Sequence, residues 1–153
     1  MSNEWLTAHS PLLNNAPTIL NELNETNMKL IDKNLIAEMH KLAAESERKR
    51  MNYDLRTTPD DQSQRMLNVL EVGTQVPIHR HEDTSETVIC FEGRLIEICY
   101  EETAEGFREI SREELCPREG RFGVQIPQGV WHTIEVLEPS SIFEAKDGAW
   151  KPR

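Results

Sequence analysis

Three histidines and one glutamate carry the clearest chemistry in this chain. His79 and His81 stand one residue apart in "VPIHRH", Glu86 follows after the four residues "EDTS", and His132 comes much later in "IPQGVWHT". In an extended strand, residues two apart share a face, so His79 and His81 project together while Arg80 points the other way. Glu86 opens the next apolar run, where antiparallel pairing would set its carboxylate beside the two rings. His132 follows a Pro-x-Gly turn and is expected at the same mouth. Three neutral imidazoles and one carboxylate are donors of intermediate hardness that suit a first-row divalent metal, with a net charge of about +1 on the site. Four protein donors on a six-coordinate ion leave positions open for a ligand, as in a working site rather than a purely structural one.

The elements that must hold these residues follow from length and pattern. A chain of 153 residues fits one domain and buries a sizeable core. The division expected is an arm over 1–26, a helix and connection over 27–58, and a β-barrel over 59–150. Met28, Ile31, Leu35, Met39 and Leu42 recur at spacings of three and four, one stripe of a helix that Asn24 or Thr26 would cap. Leu30 and Ile36 fall off that stripe, which predicts a helix with apolar contacts on two sides. The Lys and Arg of "SERKR" are placed at its far end, where the helix dipole favours them. After "TTPDDQSQ", short apolar runs alternate with Gly, Pro and acidic clusters. "RMLNVLEV", "TQVPIH", "ETVICFE", "RLIEICY", "FREIS", "RFGVQIP", "WHTIEVL" and "SSIFEAK" read as about eight strands of a jelly roll, with "FEGRL" as a hairpin turn and "EETAEG" as the next loop.

Composition narrows the partners. Seventeen basic against twenty-seven acidic residues give a formal charge of -10, which repels phosphate backbones and anionic lipid. Neither a signal peptide nor a membrane span is read from the sequence. Cys90, Cys99 and Cys116 are odd in number and lack zinc-finger spacing, so they read as reduced packing residues of a cytoplasmic protein.

The run Gly73-x5-His79-x-His81-x4-Glu86-x6-Gly93 resembles the first motif of the cupin superfamily without gap or substitution. Pro127-x-Gly129-x-x-His132 resembles the second, although Gly120 is one residue out of register and Glu135 stands where an asparagine is usual. Beyond the superfamily, residues 28 to 150 look like the WbuC family of cupin-fold metalloproteins. The matching runs are Ser46-x-Arg48-x-Arg50-x-Asn52 and Asp61-x-x-Gln64-Arg65-x-Leu67-Asn68. The resemblance implies a mainly β, single-domain cupin preceded by an N-terminal helix. It also implies a divalent transition metal (Fe, Mn, Zn or Ni) and a link to surface-polysaccharide (O-antigen) biosynthesis.

The residues expected around the metal are Arg50, Asn52, Gln64 and Arg65 for an anionic or sugar-derived small molecule, since Arg offers a planar fork to carboxylate or phosphate. Glu86 and Tyr100 are the expected proton-transfer residues. Trp131 reads as a packing residue on the face opposite His132, and His40 as a surface residue of the helix. Three functions remain open: a metal-dependent sugar isomerase or epimerase, a metal-dependent dioxygenase, and a metabolite-binding cupin without turnover. A homodimer is the expected assembly.

Overall fold

The computed structural model describes residues 28–151, so the arm over 1–26 and the caps proposed at Asn24 and Thr26 lie outside the described residues. The helix α1 spans Lys33–Glu45, and its N-cap is Asp32, whose Oδ1 accepts from the N–H of Asn34 at 3.1 Å and of Leu35 at 3.0 Å. Met28, Leu30 and Ile31 therefore precede the helix and are exposed. Leu35, Ile36, Met39 and Ala43 form a single buried stripe, which corrects the two-sided helix: Ile36 belongs to the stripe. The helix stops at Ser46, so "SERKR" lies beyond it and no basic residue occupies its last turn.

That early stop frees "RMNYD" to pair as a strand, β1 (Arg50–Asp54), which sequence pattern alone did not separate from the helix. The remaining strands are β2 (Ser63–Leu70), β3 (Glu86–Thr103), β4 (Gly106–Leu115), β5 (Gly123–Ile126) and β6 (Trp131–Asp147). All pairs are antiparallel, in the order β1-β2-β6-β3-β4, with β5 on β3. β4 and β5 take different stretches of β3, Leu95 to Thr103 and Glu86 to Ile89 respectively. "TQVPIH" is not a strand. Pro77 cannot donate to a ladder, and the segment is held by a single bridge at His79 and by Thr133 Oγ1 donating to Val76 O at 2.6 Å.

The eight expected runs give five strands among the described residues, because "TQVPIH" is not one and two pairs fuse, and β1 makes the sixth. "ETVICFE" and "RLIEICY" are one strand, β3, and "WHTIEVL" and "SSIFEAK" are one strand, β6; the two run side by side from Glu86↔Lys146 to Tyr100↔Trp131. Their register slips between Cys90 and Leu95, where bulges bend the paired strands. Gly93 is the hinge of that bend rather than a hairpin turn. Its φ is +93°, and a Cβ there would stand 2.3 Å from Pro139 O and 2.5 Å from Ser140 Oγ. Ser140 Oγ accepts from Arg94 N at 3.1 Å and donates to Glu138 O at 2.7 Å, so the corner has no slack. Gly93→Ala is expected to cost at least about 2 kcal/mol, read as a shift in the urea midpoint without a change in slope.

The slip also changes which residues face inward. Before the bend Val88 and Cys90 reach the core; after it Leu95 does, joined there by Leu115, Ile134, Val136, Leu70 and Ile142. On the other side of the β1–β2–β6 sheet, Tyr53, Leu67, Val69 and Phe143 pack under α1. The helix thus seals one face of the β1–β2–β6 part of the sheet, and the opposite face is left to the core and the site.

Candidate metal centre

His79, His81, Glu86 and His132 converge at one end of the barrel, with one donor atom from each lying within 4.8 Å of all the others. The backbone arranges this. His79 N donates to His132 O at 3.0 Å and His132 N to His79 O at 2.8 Å, which locks the two histidines opposite one another. Their ring centroids are 4.3 Å apart, and His81 lies 5.2 and 5.4 Å from them. Gly129 N donates to His81 O at 2.8 Å, so the Pro-x-Gly turn fixes His81 as well as His132. Glu86 is the first residue of β3.

Each ring is oriented. His79 Nδ1 lies 2.9 Å from Pro77 O and His132 Nδ1 lies 2.8 Å from Val130 O, contacts that only an N–H can make. The proton is therefore on Nδ1, and Nε2 keeps its lone pair for the cluster, the arrangement that outer-shell carbonyls impose on metal-ligating histidines. His132 Nε2 is buried with no hydrogen-bond partner among the described residues. His81 Nε2 and Glu86 Oε2 come within 2.6 Å of one another but out of hydrogen-bond alignment, as do atoms turned toward a shared third centre. Buried polar atoms left this way are costly unless something satisfies them. The donors present fit a divalent transition metal.

Charge at the site agrees. Burial, reinforced by the charge of His132, pushes His79 down to about 3, and burial lowers His132 as well, so both rings are neutral donors near pH 7. Burial alone would raise Glu86. Lys146 Nζ, 3.3 Å from its Oε2, together with His81 holds the carboxyl far below its usual range.

Arg50, Asn52 and Gln64 share the inward face of their strands, since Arg50↔Leu70, Asn52↔Asn68 and Gln64↔Lys146 are paired. The Arg50 guanidinium is buried and donates to Gln75 O at 2.6 Å and Thr74 Oγ1 at 3.3 Å, a structural use. Asn52 Nδ2 donates to Met66 Sδ at 3.4 Å. Gln64 alone of the four reaches the cleft beside the cluster. That cleft has a volume of about 530 Å³ and is lined by His81, Thr84, Lys146, Asp147 and Trp150 among others. Arg65 is not brought to the site. It pairs with Ala145 on the helix-covered face and forms an ion pair with Asp61 at 2.9 Å.

Tyr100 is likewise turned away. It stands opposite Trp131, the neighbour of inward-facing His132, and therefore faces the outside. There Phe107 packs between Tyr100 and Trp131, and the Arg80 guanidinium lies 4.5 Å over the Trp131 ring, the packing role expected of Trp131. His40 is not a simple surface residue: Nδ1 meets Glu71 Oε1 at 2.6 Å, and Nε2 meets Ser141 Oγ at 3.0 Å and Glu92 Oε1 at 3.1 Å, tying α1 to the sheet.

Sequence reasoning gave no site role to a second set of inward residues: Asn68, named there only as part of a family run, and Glu97, Glu144 and Lys146. Asn68 Nδ2 donates to Glu144 Oε2 at 2.7 Å. Burial, then the charge of Glu86, pushes Glu144 up to about 8. The available signal was a charged residue at the inward parity of an apolar strand, which needs the register to be known.

An antiparallel barrel with a His/His/Glu/His cluster at its mouth is the cupin fold. Solved structures support that fold. The TT1209 protein from Thermus thermophilus aligns with a TM-score of 0.56 at 15% identity, over 79% of this chain and 98% of that one. The conserved SPY1581 protein of unknown function from Streptococcus pyogenes gives 0.54 at 13%, over 86% and 95%. Oxalate oxidase in complex with the substrate analogue glycolate gives 0.54 at 13%, over 71% of this chain and 55% of that one. The chain belongs to the family described as Domain of unknown function (DUF6016), whose model matches residues 31–124. No curated protein matches it. No helix among the described residues is long and apolar enough to cross a membrane.

Proposed function

We propose that this cupin binds a divalent transition metal through His79, His81, Glu86 and His132 and uses it to hold a small polar ligand, sugar-derived or anionic, in the adjoining cleft. The observation that carries the reading is the convergence of four buried or half-buried donors, two of them with tautomers set by backbone carbonyls. Such a metal would supply Lewis-acid polarisation of a ligand carbonyl or hydroxyl. The chain supplies the rest. Lys146 offers a positive charge at the boundary between cluster and cleft, Gln64 offers an amide, and Trp150 offers an aromatic wall. An ammonium and an amide suit a ligand with a carboxylate and hydroxyls.

The WbuC resemblance supports the finer reading, a role in surface-polysaccharide (O-antigen) assembly as an isomerase or epimerase acting on a sugar or sugar acid. A homodimer fits the exposed Ile89, Phe91 and Phe122, which cluster on β3 and the entry to β5. Elemental analysis of tag-free protein purified without chelator tests the core of the proposal. Near one equivalent of Fe, Mn, Zn or Ni per chain is expected. No metal, even after reconstitution, would overturn it.

A further inference from the structure

One buried carboxyl inside the barrel has no part in the cluster just described. Glu97 lies on β3 opposite Ile134, which puts it on the same face as His132, two residues along β6, a separation of roughly 7 Å along the strand. It is 3% exposed, and neither carboxyl oxygen has a hydrogen-bond partner among the described residues. Lys146 serves Glu86 and Asn68 serves Glu144, but among the described residues no amide or cation is placed on Glu97. Below it the wall is apolar, formed by Leu95, Leu115 and Val136; toward the mouth the next inward residue is Cys99, opposite His132. Glu97 therefore sits where the dry core ends and the donor cluster begins.

An acidic side chain survives there only in its neutral form or with a partner that arrives from elsewhere. The groups around it favour the neutral form. Burial and the charges of Glu86 and Glu144 hold its carboxyl well above the usual range. Glu113, its pair on β4, is exposed and takes Arg121, so it does not reach inward to compete. The other titratable groups facing this space are Cys99 on its own strand and His132 and Glu144 on β6.

We propose that Glu97 is the proton donor of the site, passing a proton to an oxygen of the ligand held at the four-donor cluster. As the carboxyl O–H bond breaks, an O–H bond forms on the ligand oxygen, and the carboxylate left behind takes up a new proton from water that enters when the product leaves. No oxidant or further reactant is needed. The role takes the place expected of Tyr100, and it rests on the metal reading given above.

The test uses the full-length protein, metal-free and loaded with Co(II), as wild type, Glu97→Gln and Glu97→Asp. In infrared difference spectra at pH 7, wild type is expected to show protonated-carboxyl C=O absorption from both Glu97 and Glu144, with one component lost in Glu97→Gln and displaced in Glu97→Asp. Cobalt stoichiometry is expected to be equal in wild type and Glu97→Gln. The pH midpoint of the cobalt absorption is expected to move by about one pH unit or more when Glu97 is replaced by Gln, because a proton-exchanging neighbour has gone. A band unchanged in Glu97→Gln overturns the proposal. So does a loss of cobalt in that variant, which would make Glu97 a support for metal binding. Superimposable cobalt titrations would show a proton held but not shared and would overturn it too. If wild type takes up no cobalt, the metal reading fails and the donor role with it, while the infrared band still reports whether Glu97 carries a proton, so the two failures are told apart.

Discussion

His132→Ala is expected to abolish stable metal binding while leaving the barrel folded. The His79–His132 bridge is made by backbone atoms, 3.0 and 2.8 Å in its two directions, and alanine keeps both. What disappears is the one donor that comes from β6, together with an Nε2 whose orientation is set by Val130 O. Three donors from one short stretch would remain. Altering a group that merely orients a ligand lowers metal affinity by about 10- to 100-fold, and deleting a ligand is expected to exceed that range. Competition against a chromophoric chelator would show a fall of more than a hundredfold. The melting temperature of the metal-free variant should stay close to that of metal-free wild type, because the substitution also removes a buried imidazole with an unsatisfied nitrogen. An affinity within tenfold of wild type would mean that His132 is not a ligand.

The second large effect is a stability maximum in mild acid for the chelator-treated protein. His79 has a folded value of about 3 against an ordinary 6.5, so between these the unfolded chain binds the extra proton. Its contribution is complete above 6.5 and is lost as the pH falls toward about 3, a loss on the order of 4 kcal/mol. His132 and Glu86, both lowered, act in the same direction. Glu144 works oppositely. Raised from 4.5 to about 8, it binds its proton more tightly in the folded state, so its contribution is complete below 4.5 and is lost as the pH rises through about 8. Glu97 is raised as well and adds to that alkaline loss. The two sets oppose each other between 4.5 and 6.5 and act alone outside it. Urea melts of metal-free protein should therefore peak in that window, with midpoints falling on both sides. Restoring metal should move the optimum upward, since the ligands must be deprotonated to bind. A metal-free midpoint that rises steadily from pH 4.5 to 8 would sink this account.

The cluster was legible in the sequence because its donors are tied to local features: a His-x-His pair, a short turn to Glu86, and a Pro-x-Gly turn before His132. Seven of the eight β-runs were legible too, but not β1 and not the fusion of two pairs, because a glycine that bends a strand and a glycine that closes a hairpin look alike in a string. That ambiguity at Gly93 had a further effect. Counting by twos from Glu86 through the bend carries Tyr100 inward and Glu97 outward; the register slip between Cys90 and Leu95 reverses both. Glu144 and Lys146 were hidden for a related reason, since "FEAK" reads as an ordinary half-solvated strand end until its pairing with Val88 and Glu86 is known. Arg65 was misplaced because it is adjacent to Gln64, and adjacent strand residues face opposite ways. The end of α1 was obscured by "SERKR", whose charges suit a helix terminus but follow one that has already closed at Ser46.

The division of the donors along the chain sets an order of assembly. His79, His81 and Glu86 are near neighbours in sequence, so a chain still searching for its fold already carries a loose three-pronged chelate. The fourth prong, His132, is delivered only when β6 has paired with β3 and the chain between them, which carries β4 and β5, has closed. Tight metal capture thus certifies a finished barrel, and an ion seized earlier has an incomplete grip and can be exchanged before the site shuts.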